Sequence, residues 1–195
     1  MFQSSSLIES PELIHDSVQV WHFAHIRKDV SIGENTVIGN SVYIGPGVKV
    51  GKSCKIQNNA QIYDPAEISD FVFIGPGVVL TNDRNPRATS PEGTPKLSNS
   101  WKSVPVKIEL GASIGAGSIC VAPVIIGSWA LVAAGSVVVK NVPNFALVAG
   151  VPAKQIGWVG KAGYKLEVDD AEFRCPQTNM RYKLTNKGLE ELLVK

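Results

Sequence analysis

The side chains best suited to acid–base chemistry lie in the first half of the chain. The three histidines are His15, His22 and His25. His25 is a candidate general base, because histidine titrates near neutral pH. Asp64, directly before Pro65, is either a site residue or a solvated turn residue. These residue types alone allow proton transfer, but they do not identify a substrate.

A second set of candidates is basic and suits the binding of anions. Lys140 and Lys154 could contact phosphate groups as point charges. Arg84 and Arg87 lie in the polar, proline-rich segment 81–107, and arginine pairs bidentately with phosphate or carboxylate. For any one of these side chains, a solvated surface charge is the alternative interpretation.

A strict six-residue repeat indicates the elements that must position these groups. From Ile14 to Leu80 every sixth residue is a large aliphatic residue, and a small or β-branched residue follows each of them by four positions. The pattern stops after Leu80 and resumes from Ile108 in a new phase. An α-helix cannot keep such a column on one face, whereas short strands joined by tight corners can. The repeat therefore predicts an all-β solenoid whose stacked coils bury a continuous core.

The repeat resembles the hexapeptide-repeat acyltransferase family. The resemblance implies a left-handed parallel β-helix with three hexads per coil, hence about six coils. It also implies a homotrimer with sites between neighbouring subunits. If three hexads form a coil, residues eighteen apart stack, so His25 lies below Tyr43 and Asp64 lies one coil below Asn82.

Three motifs carry a narrower resemblance: VWHFAHI (20–26), KIQNNAQIYD (55–64) and VLTNDRNPRA (79–88). They are similar to motifs of the N-acetyltransferases of nucleotide-linked 3-amino sugars. The resemblance implies acetyl transfer from acetyl-CoA to UDP-2-acetamido-3-amino-2,3-dideoxyglucuronate, or to a dTDP-3-amino-3,6-dideoxyhexose, for surface polysaccharide synthesis. An asparagine in the position of Asn82 would hold the attacking amine, and His25 is the rival catalytic group. The implied substrate contacts are Tyr43, Asp64, Arg84 and Arg87.

The end of the repeat resembles the family's CoA-binding end, in the stretch VAAGSVVVKNVPNFALVAGVPAKQIGW. Small stacked residues there would leave backbone groups accessible to the pantetheine arm. Lys140 and Lys154 would meet phosphates, and Pro152 would flank the adenine. The small residues are Ala116, Gly117, Ala134 and Gly135.

Two other functions compete with this interpretation. One is a hexapeptide O-acyltransferase acting on a serine or a sugar hydroxyl, which needs a base to activate its weak nucleophile. The other is a β-helix that does not use CoA, either a structural solenoid or a zinc enzyme of the γ-carbonic anhydrase type, which needs three histidine ligands. The histidines here fall on different faces of the predicted coils. We therefore expect no metal site.

The chain is predicted to divide into a β-helix domain, 1–158, and a C-terminal appendage, 159–195. Residues 1–13 are expected to lead into the repeat, and 81–107 to form an inserted loop. Weak alternation in the appendage predicts a small hairpin, and 187–195 predicts a short final helix. Cys54 and Cys120 occupy inward columns and should be buried. Cys175 stands alone, which is too few ligands for zinc.

Composition excludes several other classes of protein. The net charge of +2 over 195 residues gives no basic field suited to nucleic acid. No apolar stretch is long enough to span a bilayer. The N-terminus lacks the pattern of a signal peptide, so we expect a cytoplasmic protein.

Overall fold

The protein folds as a triangular parallel β-solenoid, described by a computed structural model for residues 2–97 and 100–192. The chain visits three parallel sheets in turn, which we call face 1, face 2 and face 3. The corners between them are named by the faces they join. Within these ranges, no helix has both the length and the apolar character needed to cross a membrane.

Each face is a ladder of very short strands. Face 1 contains β1 (Leu7–Ile8), β3 (His25–Ile26), β6 (Tyr43–Ile44), β9 (Gln61–Ile62), β12 (Val79–Leu80), β15 (Ile119–Cys120) and β18 (Val137–Val138). Face 2 contains β4 (Ser31–Ile32), β7 (Lys49–Val50), β10 (Glu67–Ile68), β13 (Val106–Ile108) and β16 (Val124–Ile126). Face 3 contains β2 (Gln19–Val20), β5 (Val37–Ile38), β8 (Lys55–Ile56), β11 (Phe73–Ile74), β14 (Ser113–Ile114), β17 (Leu131–Val132) and β19 (Ala146–Gly150). An antiparallel strand, β20 (Ala153–Trp158), ends face 3.

The register confirms that three hexads make one coil. His25 pairs with Tyr43, and Tyr43 pairs with Gln61, each eighteen residues further along. The second residue of each strand points inward, and Ile44 and Ile62 are completely buried. The small column is buried as well, including Cys54, and Cys120 is buried in the aliphatic column. Burial raises the pKa of the Cys120 thiol to about 12.

The coil count predicted from the repeat is too low. Face 3 has seven parallel strands, and Phe2 adds an eighth level through its bridge to Val20. The solenoid therefore has about eight turns rather than six. The expected lead-in is part of it, since β1 pairs with β3. The six-residue apolar column in fact extends backwards through Ile8 and Phe2, a signal that marks this first coil.

The glycines that follow the aliphatic column are required by close stacking rather than by unusual backbone angles. A Cβ on Gly39 would lie 2.7 Å from the backbone nitrogen of Asn58 in the next coil. The left-handed residue of that corner is instead Ser41, with φ of 55°. Close approach of the next coil thus requires glycine at position 39, whereas the left-handed turn position two residues later accepts a serine.

The inserted loop leaves the solenoid at corner 1–2. The repeat ends at Leu80 and resumes at Val106, so the insertion is slightly shorter than the predicted 81–107. A bridge between Thr89 and Pro95 closes part of the loop on itself. Ser98 and Asn99 lie outside the described residues.

The C-terminal segment forms a four-stranded antiparallel sheet. Its strands are β21 (Glu167–Asp169), β22 (Glu172–Arg174), β23 (Arg181–Thr185) and β24 (Gly188–Leu192). The predicted helix over 187–195 is wrong within the described residues, because 188–192 is a strand. So short a segment has little helical stability of its own, and pairing with β23 buries Leu189 completely. The prediction for 193–195 lies outside the described residues.

This sheet packs on the last corner of the solenoid. The Asn144 amide donates to the Lys187 carbonyl at 3.0 Å, and the Leu189 amide donates to the Asn144 carbonyl at 3.2 Å. The ring centroids of Phe145 and Tyr182 are 5.2 Å apart. Both rings belong to a second small core, separate from that of the solenoid.

Adjacent residues of β8 provide a test of the register. Ile56 is completely buried, whereas Lys55 points outward and is exposed. Ile56→Ala should lower the free energy of unfolding by about 2–5 kcal/mol, because it leaves a cavity in the core. Lys55→Ala should change it by no more than about 0.5 kcal/mol. Denaturant unfolding of both variants would measure this, and equal losses would contradict the inward–outward assignment.

Candidate active site

Asn82 stands at the root of the inserted loop with a fixed orientation. Its Nδ2 donates to the backbone carbonyl of Asp64, one coil below, at 2.7 Å. Its own carbonyl accepts the Val104 amide at 2.9 Å, which ties the two ends of the loop together. With Nδ2 engaged, Oδ1 is the free end of this partly buried amide, and among the described residues nothing donates to it. A carboxamide held this way presents an acceptor.

The neighbouring residues keep this root rigid. The Thr81 hydroxyl accepts the Ala122 amide at 3.0 Å, and the Thr81 amide donates to the Cys120 carbonyl at 3.0 Å. Asp83 accepts the Asn85 amide at 2.8 Å, closing a local turn. Asn82 is therefore positioned by the solenoid, although it opens a long loop.

His25 belongs to a different cluster, built around Glu9. Oε1 of Glu9 accepts from His25 Nε2 at 3.1 Å and from Arg27 Nε at 2.7 Å. Oε2 accepts the Lys28 backbone amide at 2.9 Å. The hydrogen bond from His25 is the main cause that lowers the pKa of the Glu9 carboxyl, and those from Lys28 and Arg27 lower it further. We call Glu9, His25, Arg27 and Tyr43 the Glu9 cluster.

Tyr43 links this cluster to the coil above. Its ring centroid lies 5.7 Å from that of His25, in an edge-on arrangement, and 5.4 Å from that of Tyr63. Its hydroxyl accepts from Arg27 Nη1 at 3.5 Å. Three aromatic rings therefore follow one another up face 1 and corner 1–2.

The two candidate catalytic residues are far apart within one chain. His25 lies three rungs below Val79, the outward residue of the strand that precedes Asn82. Three strand spacings are about 14 Å. His25 and Asn82 of one chain are therefore not placed around the same reacting atom.

The structure disperses the other predicted acceptor contacts. Arg84 and Arg87 are exposed in the loop, and Arg87 Nη1 donates to the Pro86 carbonyl at 2.7 Å. Asp64 is half-buried, and its recorded contact with Asn82 is through its backbone carbonyl. The side chains of this set are not gathered around one point.

Three predicted cofactor residues lie in one cavity. Lys140, Pro152 and Lys154 line a space of about 420 Å³ at the end of the solenoid. The walls are the corner after β18 and the hairpin of β19 and β20. Two lysines beside a partly apolar hollow suit a ligand that carries both phosphate and a ring.

The small predicted cofactor residues lie at corner 3–1, on the opposite edge of face 1. A Cβ added to Gly117 or Gly135 would meet nothing within 4 Å, so this corner is open to solvent. The amides of both glycines are already used: Gly117 donates to the Pro76 carbonyl at 2.9 Å, and Gly135 to the Ala116 carbonyl at 2.8 Å. The prediction that the small residues free their backbone groups therefore fails for these two N–H groups.

The amides of Ala116 and Ala134 have a different environment. At some corners, the equivalent N–H is capped by a side chain from the next coil, as Asn40 is by Asn58 Oδ1 at 2.8 Å. The residue stacked on Ala116 is Ala134, which has no acceptor in its side chain. Within the described part of the chain, neither of these two exposed amides has an acceptor. Two donors are thus open at this corner.

The histidines and cysteines do not assemble a metal site. Across residues 2–97 and 100–192, no three groups from His, Cys, Asp and Glu come close enough to hold a metal ion. His15 bonds Ser17, His22 bonds Ser5, and His25 bonds Glu9. Burial alone would raise the pKa of the Cys175 thiol, but this pKa is lowered, because hydrogen bonds from Thr178 and the Gln177 backbone outweigh the upward effect of burial.

Three residues of this region, Glu9, Arg27 and Tyr63, are not among those predicted from the sequence. Glu9 precedes Arg27 by eighteen residues, so the same stacking rule predicts their contact once residues 1–13 are included in the solenoid. The geometry of Arg27 and Tyr63 depends on side-chain contacts, for which the repeat gives no signal.

Family models match much of the chain. A model described as bacterial transferase hexapeptide (six repeats) matches residues 13–46 and 47–82. A second, described as hexapeptide repeat of succinyl-transferase, matches 105–140. Together these segments cover more than half of the 195 residues.

Two curated relatives are N-acetyltransferases. The dTDP-3-amino-3,6-dideoxy-α-D-galactopyranose 3-N-acetyltransferase of Aneurinibacillus thermoaerophilus is 41% identical over 87 residues, which is 45% of this chain and 45% of that protein. The 2,3,4,5-tetrahydropyridine-2,6-dicarboxylate N-acetyltransferase of Clostridium perfringens is 51% identical over 152 residues, which is 78% of this chain and 58% of that protein. The chain thus spans less than two thirds of the length of either relative.

A solved structure shares the fold. It is a variant of GDP-perosamine N-acetyltransferase from Caulobacter crescentus, in complex with CoA and GDP-perosamine. The TM-score is 0.53 at 22% identity, covering 80% of this chain and 55% of that one. At this identity the likeness concerns the fold alone.

Proposed function

Since the chain belongs to the hexapeptide-repeat family of transferases, we propose that it is an acetyl-CoA-dependent N-acetyltransferase acting on a nucleotide-linked 3-amino sugar. The observation that carries the proposal is the fixed Asn82 amide at the root of the inserted loop, whose Oδ1 receives no donor from the described residues. The name of the Aneurinibacillus relative supports the acceptor class. In this proposal the acceptor is UDP-2-acetamido-3-amino-2,3-dideoxyglucuronate, with a dTDP-3-amino-3,6-dideoxyhexose as the alternative.

The main task of the protein in this reaction is to align the sugar amine with the thioester. The neutral amine attacks the thioester carbonyl, a C–N bond forms, the C–S bond breaks, and the amine's surplus proton goes to the departing thiolate. Asn82 Oδ1 accepts a hydrogen bond from the amine and directs its lone pair without protonating it. Holding two reactants in the right geometry can supply about 7–11 kcal/mol of the barrier. A strong side-chain base is therefore not required.

The cofactor half of the proposal rests on two groups of residues. Lys140 and Lys154, with Pro152, offer two cations and an apolar surface for the phosphates and the adenine of acetyl-CoA. The open amides of Ala116 and Ala134 suit the carbonyl oxygens of the pantetheine arm. Because the two groups flank opposite edges of face 1, a cofactor lying between two copies of the chain can contact both.

A second acceptor class is favoured by one observation. The Clostridium relative, matched over most of the chain, acts by its name on a cyclic dicarboxylate. Both acceptors would be acetylated on nitrogen, but the dicarboxylate carries no nucleotide. The two candidates therefore differ in what must bind beside the amine.

A screen with acetyl-CoA separates the candidates. The chain should release free thiol with UDP- or dTDP-linked 3-amino sugars and not with the tetrahydropyridine dicarboxylate or serine. Thiol release can be followed by colour development, and the acetylated product by mass spectrometry. Turnover with the dicarboxylate and with none of the amino sugars would contradict the proposed acceptor and favour the dicarboxylate.

Removing the Asn82 amide should reduce turnover strongly. We expect Asn82→Ala to lower kcat about a hundredfold, because misalignment at the reacting centre costs that much. Its Kd for acetyl-CoA should stay unchanged. Asn85→Ala, an exposed asparagine in the same loop, is the matched control and should keep normal kcat.

His25→Ala decides between the two candidate catalytic groups. It should raise the KM for the acceptor more than it lowers kcat, since His25 is three rungs from Asn82. An inactive His25→Ala beside a nearly normal Asn82→Ala would reverse the assignment.

The proposed assembly is a homotrimer, in which the inserted loop reaches the neighbouring subunit's site. Exposed aliphatic residues on the upper coils support this: Ile119 on face 1 is 36% exposed, and Val139, directly after β18, is 45% exposed. Light scattering should give three times the mass of the chain. Ile119→Glu should lower that mass, because it places a charge in the apolar contact. An active wild-type monomer would contradict the arrangement.

A further inference from the structure

A continuous line of side chains runs down from Asn82 along corner 1–2 and face 1. Tyr63 is stacked one rung below Thr81, and its amide donates to the Leu80 carbonyl at 3.3 Å. Tyr43 follows on the next rung, and His25 and Arg27 on the rung below. The line covers about 14 Å, the length of three strand spacings. It is therefore long enough to contact a ligand well beyond a single sugar ring.

Arg27 is the ordered cation on this line. Glu9 holds its Nε at 2.7 Å. Among the described residues, the only partner of the Nη1–Nη2 edge of the guanidinium is the Tyr43 hydroxyl, at 3.5 Å. That edge is the fork that pairs with phosphate oxygens. Since Glu9 has already fixed the side chain, binding loses little further rotamer entropy. Arg84 and Arg87, by contrast, are exposed on the loop.

Aromatic side chains lie on either side of this fork. Tyr63 is 38% exposed and is, of the three stacked rings, the one on the rung next to that of Asn82. The His25 ring is at the far end, and Leu7, 58% exposed, continues the surface on the adjoining strand. Flat rings with polar tips suit sugar and base surfaces, which are apolar on their faces and polar at their edges.

Resting on the acceptor class proposed above, we propose that the Glu9 cluster is the nucleotide subsite of the acceptor. With the amine at Asn82, the sugar lies over Tyr63. The diphosphate reaches Arg27 Nη and the Tyr43 hydroxyl, and the nucleoside passes His25 towards Leu7. Glu9 is a positioning residue, since it acts through Arg27 and His25. Acceptor recognition thus extends into the first coils of the solenoid.

Binding of free nucleoside diphosphates to the full chain tests this subsite without requiring turnover. Isothermal titration with UDP and with dTDP should show binding of at least one of them to the wild type. Arg27→Gln should weaken it about tenfold or more, as expected for the loss of a charge-assisted hydrogen bond. Arg27→Lys should restore part of it. Lys49→Gln removes the same charge from an exposed position on face 2 and should leave the affinity within about twofold.

The readouts separate failure of the subsite from failure of the proposed function. The inference is overturned if neither nucleotide binds the wild type, or if Arg27→Gln binds as tightly as Lys49→Gln. Thermal melting of each variant shows whether a loss of nucleotide affinity reflects unfolding. Glu9→Gln disturbs the Arg27 guanidinium less than Arg27→Gln does, so it should weaken binding by a smaller factor. Binding through Arg27 with no acetyl transfer to any amino sugar would leave the nucleotide subsite standing and refute the transferase proposal. Acetyl transfer to a nucleotide sugar with a KM unchanged by Arg27→Gln would support the transferase proposal and refute the nucleotide subsite.

Discussion

The stacking of one coil on the next is the constraint on which the rest of the structure depends. Adjacent backbones approach to the spacing of a β-sheet on all three faces, so every corner must turn with the same rise. Where a Cβ would strike the next coil, as at Gly39, only glycine fits. Some corner amides that the strands cannot satisfy are capped by side chains from the neighbouring coil, as Asn58 caps Asn40. The proposed cofactor and acceptor contacts use groups that the described residues leave open: Ala134 has no side-chain acceptor to cap Ala116, and Asn82 Oδ1 receives no donor.

Much of the fold could be predicted from the sequence, because burial in a solenoid repeats with the same period as the chain. Inward positions such as Ile44 and Ile62 follow from the aliphatic column alone. The first coil was missed because residues 1–13 lack the glycines and regular small column of later coils, although Phe2 and Ile8 keep the spacing. The final helix was wrong because the packing of Leu189 against a second core, a long-range effect, outweighs local helical preference.

The candidate site was less predictable, for a physical reason. Stacking places residues at a height and on a face, so the relation between Asp64 and Asn82 followed directly. It does not say which way a side chain turns or which partner it selects. Glu9 bonds His25, Arg27 and Lys28 together, and that choice depends on three contacts meeting at one carboxylate. The small residues of corner 3–1 were grouped with Lys140 through the family resemblance, whereas the six-residue spacing from Ala134 to Lys140 already places them on consecutive corners.

The C-terminal end of the solenoid is built so that the parallel stack stops there. β20 runs antiparallel to β19, and the four-stranded sheet packs beside Asn144, so another parallel coil cannot be added on face 3. An unpaired strand edge is a template on which a strand of another chain can pair. The reversal of a single strand therefore protects this end of face 3 from coil-on-coil polymerisation.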